Sequence, residues 1–270
     1  MTMPLPLRRT AAAALMLLLS TAAPMGLPTP AAAAELSLEQ VRAVLRAATP
    51  AAPADLAGKD LSDLDLSRVD LRHADLRGAS LFGSRLVLAD LRGAQLAGAN
   101  LNGAWLMGTD FRGANLDRAS LLSVVVLGGE VRQMPNFQGA SLRGAKMIAD
   151  LPGADLSGAD FGGAMVGVNI KNQGMGQMRT DLSNANLAGA TLAGADFNRT
   201  LMAFSNLRGS DLRGANFFRA RLGGADLTGA DVTGADFTEA DLEGTVFRDA
   251  RGFAEAKGLD TATGVAHIVR

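Results

Sequence analysis

The sequence has no cysteine, no tyrosine, one tryptophan and two histidines among its 270 residues. Without cysteine the chain forms no disulfide, builds no thiolate metal site and carries no cysteine-anchored lipid. His73 and His267 are each solitary, so neither supplies an imidazole cluster for metal binding or nucleophilic catalysis. No Gly-X-Ser-X-Gly elbow and no phosphate-binding glycine-rich loop occurs. Asp pairs recur throughout, which makes any single pair uninformative as an acid/base couple. No catalytic, cofactor-binding or metal-ligating residue is therefore assigned, no cofactor is expected, and the chain does not read as an enzyme. Charge of one sign is also missing. The 26 Lys and Arg stand against 27 Asp and Glu, a balance that steers a protein neither to nucleic acid nor to anionic membranes.

Long apolar runs are missing too. The longest, Ala11 to Leu19, falls short of the roughly 20 residues that span a bilayer. It follows Arg8 and Arg9 and precedes the small residues ending at Ala31-Ala32-Ala33-Ala34. Residues 1–34 thus read as a secretory signal peptide, with cleavage expected near Ala34/Glu35. An alanine-rich leader of a cytosolic protein and an uncleaved anchor are the alternatives. The arginine pair hints at the twin-arginine route. Cleavage would leave 236 residues carrying 24 basic and 27 acidic side chains, a net charge of −3, with no integral membrane span. The expected location is outside the cytoplasm, periplasmic or secreted, where a fold without disulfides must hold by stacking.

What the chain has in abundance is a five-residue phrase, Ala-Asp/Asn-Leu/Phe-X-Gly. It reads cleanly at Ala74-Asp75-Leu76-Arg77-Gly78, Ala99-Asn100-Leu101-Asn102-Gly103, Ala159-Asp160-Phe161-Gly162-Gly163 and Ala225-Asp226-Leu227-Thr228-Gly229. Its central residues recur every five positions from Leu56 to Val131. They shift phase by one at Phe137, Leu142 and Met147, return at Leu151, Leu156, Phe161 and Val166, and run unbroken again from Leu182 to Phe247. So short a repeat buries its apolar side chains only by stacking unit on unit.

These phrases resemble the pentapeptide-repeat family over residues 55 to 247. The resemblance implies an all-β fold, a right-handed quadrilateral β-helix (a solenoid) with four pentapeptides per coil. The central residue and the alanine two before it would point inward. Spacing supports four sides independently, because positions 20 apart then stack. Asp70, Asp90, Asp110 and Glu130 form one expected column, and Arg72, Arg92, Arg112 and Arg132 a second. With coils about 4.8 Å apart, like charges repel by roughly 0.9 kcal/mol in water; the neighbouring opposite column offsets this. About ten coils at that rise would make a stack near 50 Å long.

The domain order comes from the same pattern. Residues 35–53 hold an N-terminal capping helix and linker, with Ser37 and Gln40 spaced as a capping box and Leu38, Val41, Val44 and Leu45 on one face. The β-helix spans 54–247, irregular at 129–150 and 163–181, and 248–270 is a C-terminal cap or tail.

Outward positions on one side carry Val87, Leu88, Trp105, Met107, Val125 and Leu127, with Phe82 and Leu122 on the side before. Large apolar groups facing water mark interfaces; the competing reading is that another part of the chain covers them. The 163–181 segment contains Met165, Met175 and Met178, soft donors of the kind that suit Cu(I). The expected function is an exported, non-enzymatic scaffold that binds an unknown protein partner or forms a homodimer, with no nucleic acid. The family resemblance implies one alternative, a DNA mimic that binds gyrase; methionine-based copper binding is the second.

Overall fold

The computed structural model describes residues 35–49, 51–126, 131–167 and 179–269. Contacts divide the chain into two units, Met1–Ala32 and Ala33–Arg270.

The second unit is a stack of coils, most of them making four parallel bridges to the next; among the described residues the third-side step from Val125 to Asp150 has none. The first side runs Asp55, Asp75, Gln95, Asn115, Ser141, Asp160, Thr191, Asp211, Asp231, Arg251, ten coils in succession. The second side starts at Asp60, the third at Asp65 and the fourth at Asp70, ending at Lys257, Thr263 and Val269. Each side contributes one bridged residue because the rest of the pentad is turn. Leu56 N–H donates to Asp75 O at 2.8 Å and Asp75 N–H donates back to Ala54 O at 2.8 Å. Most sides are too short for a named strand. The exception is β1 (Ser120–Leu122) on β2 (Lys146–Ile148), parallel and in register from Ser120↔Lys146 to Leu122↔Ile148.

Each part of the five-residue phrase has a physical cause. The central Leu or Phe and the preceding Ala are buried along the stack; each fully buried leucine contributes about 1.5–3 kcal/mol before entropy. The Asp or Asn closes the corner through an Asx turn, as Asp60 does in accepting Ser62 N–H at 2.9 Å. The terminal Gly takes the left-handed φ of a type II turn, 65° at Gly78. Where Ser or Thr replaces the buried Ala, the hydroxyl donates to a backbone carbonyl. Ser84 reaches Leu81 O at 2.8 Å and Thr109 reaches Leu86 O at 2.8 Å, which removes the penalty for a buried unpaired hydroxyl.

Helix α1 spans Leu38–Ala47 and is shorter than the expected segment because Ser37 is its cap, outside the helix. Gln40 N–H donates to Ser37 Oγ at 3.3 Å, and Ser37 N–H donates to Gln40 Oε1 at 2.7 Å. Val41 is fully buried, and Leu38, Val44 and Leu45 pack half-buried on the core. Glu35 N–H donates to Asp60 O at 2.8 Å, and Lys59 Nζ lies 2.8 Å from Glu35 Oε1, tying the helix approach to the first coil.

The structure corrects two expectations. The regular array ends at Val126, not Val131: Val131 is only half-buried, and Asp110 bridges Asn136. Asn136 thus takes the fourth column position expected of Glu130, which lies outside the described residues. Arg132 is exposed and off the ladder. Farther on, Lys146 on the second side is followed by Asp150 on the third, a four-residue unit that restores the original phase. At the second break the described residues end at Gly167 and resume at Arg179, and Thr180 donates to Val166 O at 2.8 Å. Residues 168–178 lie outside the described residues.

Residues 251–269 form a last coil with six-residue sides. Arg251, Lys257, Thr263 and Val269 make its bridges, and short 3-10 turns occupy Phe253–Glu255 and Val265–His267. Gly258 there has φ 70°, and a Cβ on it would lie 2.3 Å from Thr238 N. Gly258→Ala is therefore expected to cost at least about 1–2 kcal/mol and to strip hydrogen-exchange protection from this coil alone. Unchanged protection would contradict the placement. His267 Nδ1 lies 2.7 Å from Glu243 Oε1, which raises the His267 pKa. A raised pKa stabilises at low pH, so this tie holds below about pH 6.5 and weakens as pH rises through the raised value.

Candidate interaction surface

The four sides differ in chemistry, and that difference defines the site. On the fourth side, three of the four expected rungs are present. Arg72 donates to Asp70 at 2.9 and 2.6 Å, Arg92 to Asp90 at 2.9 and 2.6 Å, and Arg112 to Asp110 at 2.9 and 2.6 Å. Each of the first two guanidinium groups also reaches toward the next coil: Arg72 Nε is 3.6 Å from Asp90 Oδ2 and Arg92 Nε is 3.6 Å from Asp110 Oδ2. Lower on this side an amide ladder takes over, with Asn206 Nδ2 donating to Asn186 Oδ1 at 3.0 Å.

Hydrogen bonds from the arginines hold Asp70, Asp75, Asp90 and Asp211 below the usual carboxylate range. A lowered carboxylate stabilises the fold above its unfolded pKa, about 3.9, and loses that contribution as pH falls through the lowered value. The melting temperature should therefore drop as pH falls below about 4, and Arg92→Gln should flatten the drop. Asp150 behaves oppositely: partial burial, then the charge of Asp181, push its pKa up. Asp150→Asn should raise the melting temperature at neutral pH and have no effect once both carboxyls are protonated. Thermal scans across pH read both.

The third side interleaves bulky apolar groups with Asp65, Arg85, Asp150, Asp181, Arg221 and Asp241. Its bridge column includes Trp105, Val125 and Leu201. The structure places the sequence-selected residues differently from a row facing water. Val87 and Met107 are buried, 8% and 2% exposed, and Leu88, Trp105 and Val125 are half-buried. Leu127 lies outside the described residues. Two local contacts account for part of this. Arg85 lays its guanidinium over the Trp105 ring at 4.6 Å, a cation–π contact. Gly108 N–H donates to Gln133 O at 2.7 Å, which brings the segment before Asn136 alongside this corner. Leu88 covers the same glycine: a Cβ on Gly108 would meet Leu88 Cδ2 at 2.6 Å.

Among the described residues, two of the four exposed large apolar groups lie at the edges of that side, and the other two, Met165 and Val269, lie on the second and fourth sides. Phe82 is 51% exposed at the corner leading into it, and Phe204 is 67% exposed at the corner leading out. Phe204 was missed from the sequence, although its signal was present: it stands where the pentad places glycine, at φ 57°. Phe218 was missed too. It sits half-buried at the leading corner with Arg219 at 4.9 Å and Arg199 at 6.0 Å from its ring. Leu122 and Ile148 are half-buried on the same corner column. Met165 is exposed on the second side, while Met175 and Met178 lie outside the described residues. Among the described residues no group of three His, Asp or Glu could hold a metal ion, and no helix is long and apolar enough to cross a membrane.

The family pattern for pentapeptide repeats matches residues 54–81, 84–121, 136–165, 180–217 and 215–251. Its gaps include the undescribed stretches 127–130 and 168–178. The chain belongs to the pentapeptide-repeat family, whose fold is β-helix-like. No match is found among curated proteins. Among solved structures it is similar to HetL, a pentapeptide repeat protein involved in heterocyst differentiation regulation from the cyanobacterium Nostoc sp. strain PCC 7120. The two are 27% identical over 87% of this chain and 100% of that one, with a TM-score of 0.37. QnrB1, a plasmid-mediated fluoroquinolone resistance protein, is 19% identical over 75% of this chain and 90% of its own, with a TM-score of 0.40. A pentapeptide repeat protein of the Arabidopsis thaliana thylakoid lumen is 33% identical over 40% of this chain and 64% of its own, with a TM-score of 0.18. Superpositions this loose carry no argument about function.

Proposed function

We propose that this protein is an exported, non-enzymatic binding scaffold whose third side docks a protein partner or a second copy of itself. In this reading the stack is a right-handed, four-sided β-helix, α1 caps its first coil, and residues 1–34 are the export leader. One observation carries the reading: the large exposed aromatics Phe82 and Phe204 flank a single side, while the charged side next to it neutralises itself. Aromatic side chains and arginine are enriched in interface cores.

Nothing favours the duplex-mimic reading. Mimicry of DNA needs unneutralised rows of negative charge, and Asp70, Asp90 and Asp110 are each gripped by a guanidinium. Copper binding through Met165, Met175 and Met178 gains no supporting geometry either.

Light scattering on the native exported fraction tests the proposal. Wild type is expected in a species larger than the monomer, and the Phe82→Asp, Phe204→Asp double variant at monomer mass. Wild type at monomer mass would overturn it.

A further inference from the structure

A cleft of about 450 Å³ lies between α1 and the corner of the first coil that follows the third side. Two elements supply its walls. From α1 come Arg42, Leu45 and Arg46; from the coil come Ser67, Arg68 and Val69. The lining combines the apolar Leu45 and Val69 with three arginines, Arg42, Arg46 and Arg68.

The acids nearby are already engaged. Asp70, which also lines the cleft, is held in a fork by Arg72 at 2.9 and 2.6 Å. Glu39 is taken by Arg42 at 3.1 Å. Asp65 faces Arg85, 4.0 Å from its Nε. Arg46 and Arg68 form no salt bridge among the described residues, which leaves two unpaired positive charges lining the cleft.

Arg68 is also in a costly place. It occupies the pentad's glycine position at φ 58°, where a residue with a Cβ carries about 1–2 kcal/mol of strain. Some residues at such corners lie on a glycine of the next coil, as His73 does at Gly93 and Phe204 at Gly224. The residue one coil on from Arg68 is Leu88, not glycine, so Arg68 has no such seat. Arg199 and Arg219 hold the same corner conformation without a glycine seat; what sets Arg68 apart is its place on a cleft that Arg42 and Arg46 also line.

We propose that this cleft binds a dianion of the phosphate-monoester type. Two unpaired guanidinium groups match its two negative charges, and the planar fork of each suits paired phosphate oxygens. The apolar Leu45 and Val69 of the lining accommodate a small organic body on the ester oxygen. Such a group arrives either on a soluble molecule or as a lipid headgroup, and the test separates the two. This proposal stands independently of the third-side interface.

The full chain is titrated calorimetrically with inorganic phosphate. In parallel it is sedimented with vesicles of phosphatidylcholine and phosphatidic acid in equal parts, against phosphatidylcholine alone. Two variants accompany wild type. Arg68→Gly installs the repeat's own corner residue, so it should fold at least as stably while binding at least about tenfold more weakly. Arg118→Gly makes the same exchange at another left-handed corner, φ 57°, away from the cleft, and should bind like wild type. Saturable binding to either probe that falls with Arg68→Gly and survives Arg118→Gly supports the site, and the probe that binds names the source. Binding to neither probe up to ~10 mM phosphate, or equal loss in both variants, overturns it.

Discussion

Replacing Phe217 with alanine is expected to cost about 3–5 kcal/mol of stability. Its ring stacks between Phe197, 5.7 Å away, and Phe237, 5.3 Å away, with interplanar angles of 21° and 7°. All three are fully buried, one above another on the second side of successive coils. Removing the middle ring leaves a cavity that the surrounding backbone is poorly able to close. Every coil is pinned to both neighbours by the ladder, for instance Phe217 N–H to Asp236 O at 2.7 Å. Stability in a stack is a sum of nearest-neighbour terms, so the loss should concentrate on the coils carrying Phe197, Phe217 and Phe237. Urea unfolding followed by hydrogen exchange measures both size and place. A loss under about 1 kcal/mol would mean that the rings are not core.

Val41→Asp is expected to act at the opposite end and by a different route. Val41 is the one fully buried residue of α1, and an unpaired carboxylate in its place must be desolvated or expelled, a cost of several kcal/mol. Because α1 makes no ladder with the coil, expulsion is the cheaper outcome. The helix should undock and expose Leu56, Leu61, Leu66 and Leu71, all buried in the first coil. Hydrogen exchange would then show residues 38–47 unprotected while the coils around Phe217 keep their protection. An uncovered coil end also presents unpaired backbone groups, so the variant should aggregate in light scattering. Full protection of α1 in the variant would contradict the packing described for it.

The period of 20 was legible because its cause is local. An inward Leu or Phe, a small Ala, an Asx turn and a left-handed corner must each recur for any coil to close, so sequence and geometry share one period. The Asp/Arg rungs were legible for the same reason. Val131 was misplaced because it mimics the pattern: Glu130-Val131-Arg132 has the composition of a pentad, and only the phase of Phe137 betrays the break. The burial of Val87 and Met107 was not legible, since a pentad position gives a side chain's direction but not what lies beside it. The last coil had its own signal. Gly252, Gly258 and Gly264 recur every six residues, followed by Phe253, Leu259 and Val265. A five-residue template cannot register that spacing. Phe204 escapes any reading confined to the positions flanking the core residue, because it stands at the glycine corner.

Site-specific photocrosslinking tests the central claim, that the third side is where this protein meets its partner. A benzophenone side chain is placed at Phe82, at Phe204 and, on the charged fourth side, at Arg92, and the full chain is irradiated in cells that produce it. The account predicts a discrete adduct from positions 82 and 204 and none from position 92. Adducts of equal yield from all three, or from position 92 alone, would contradict it.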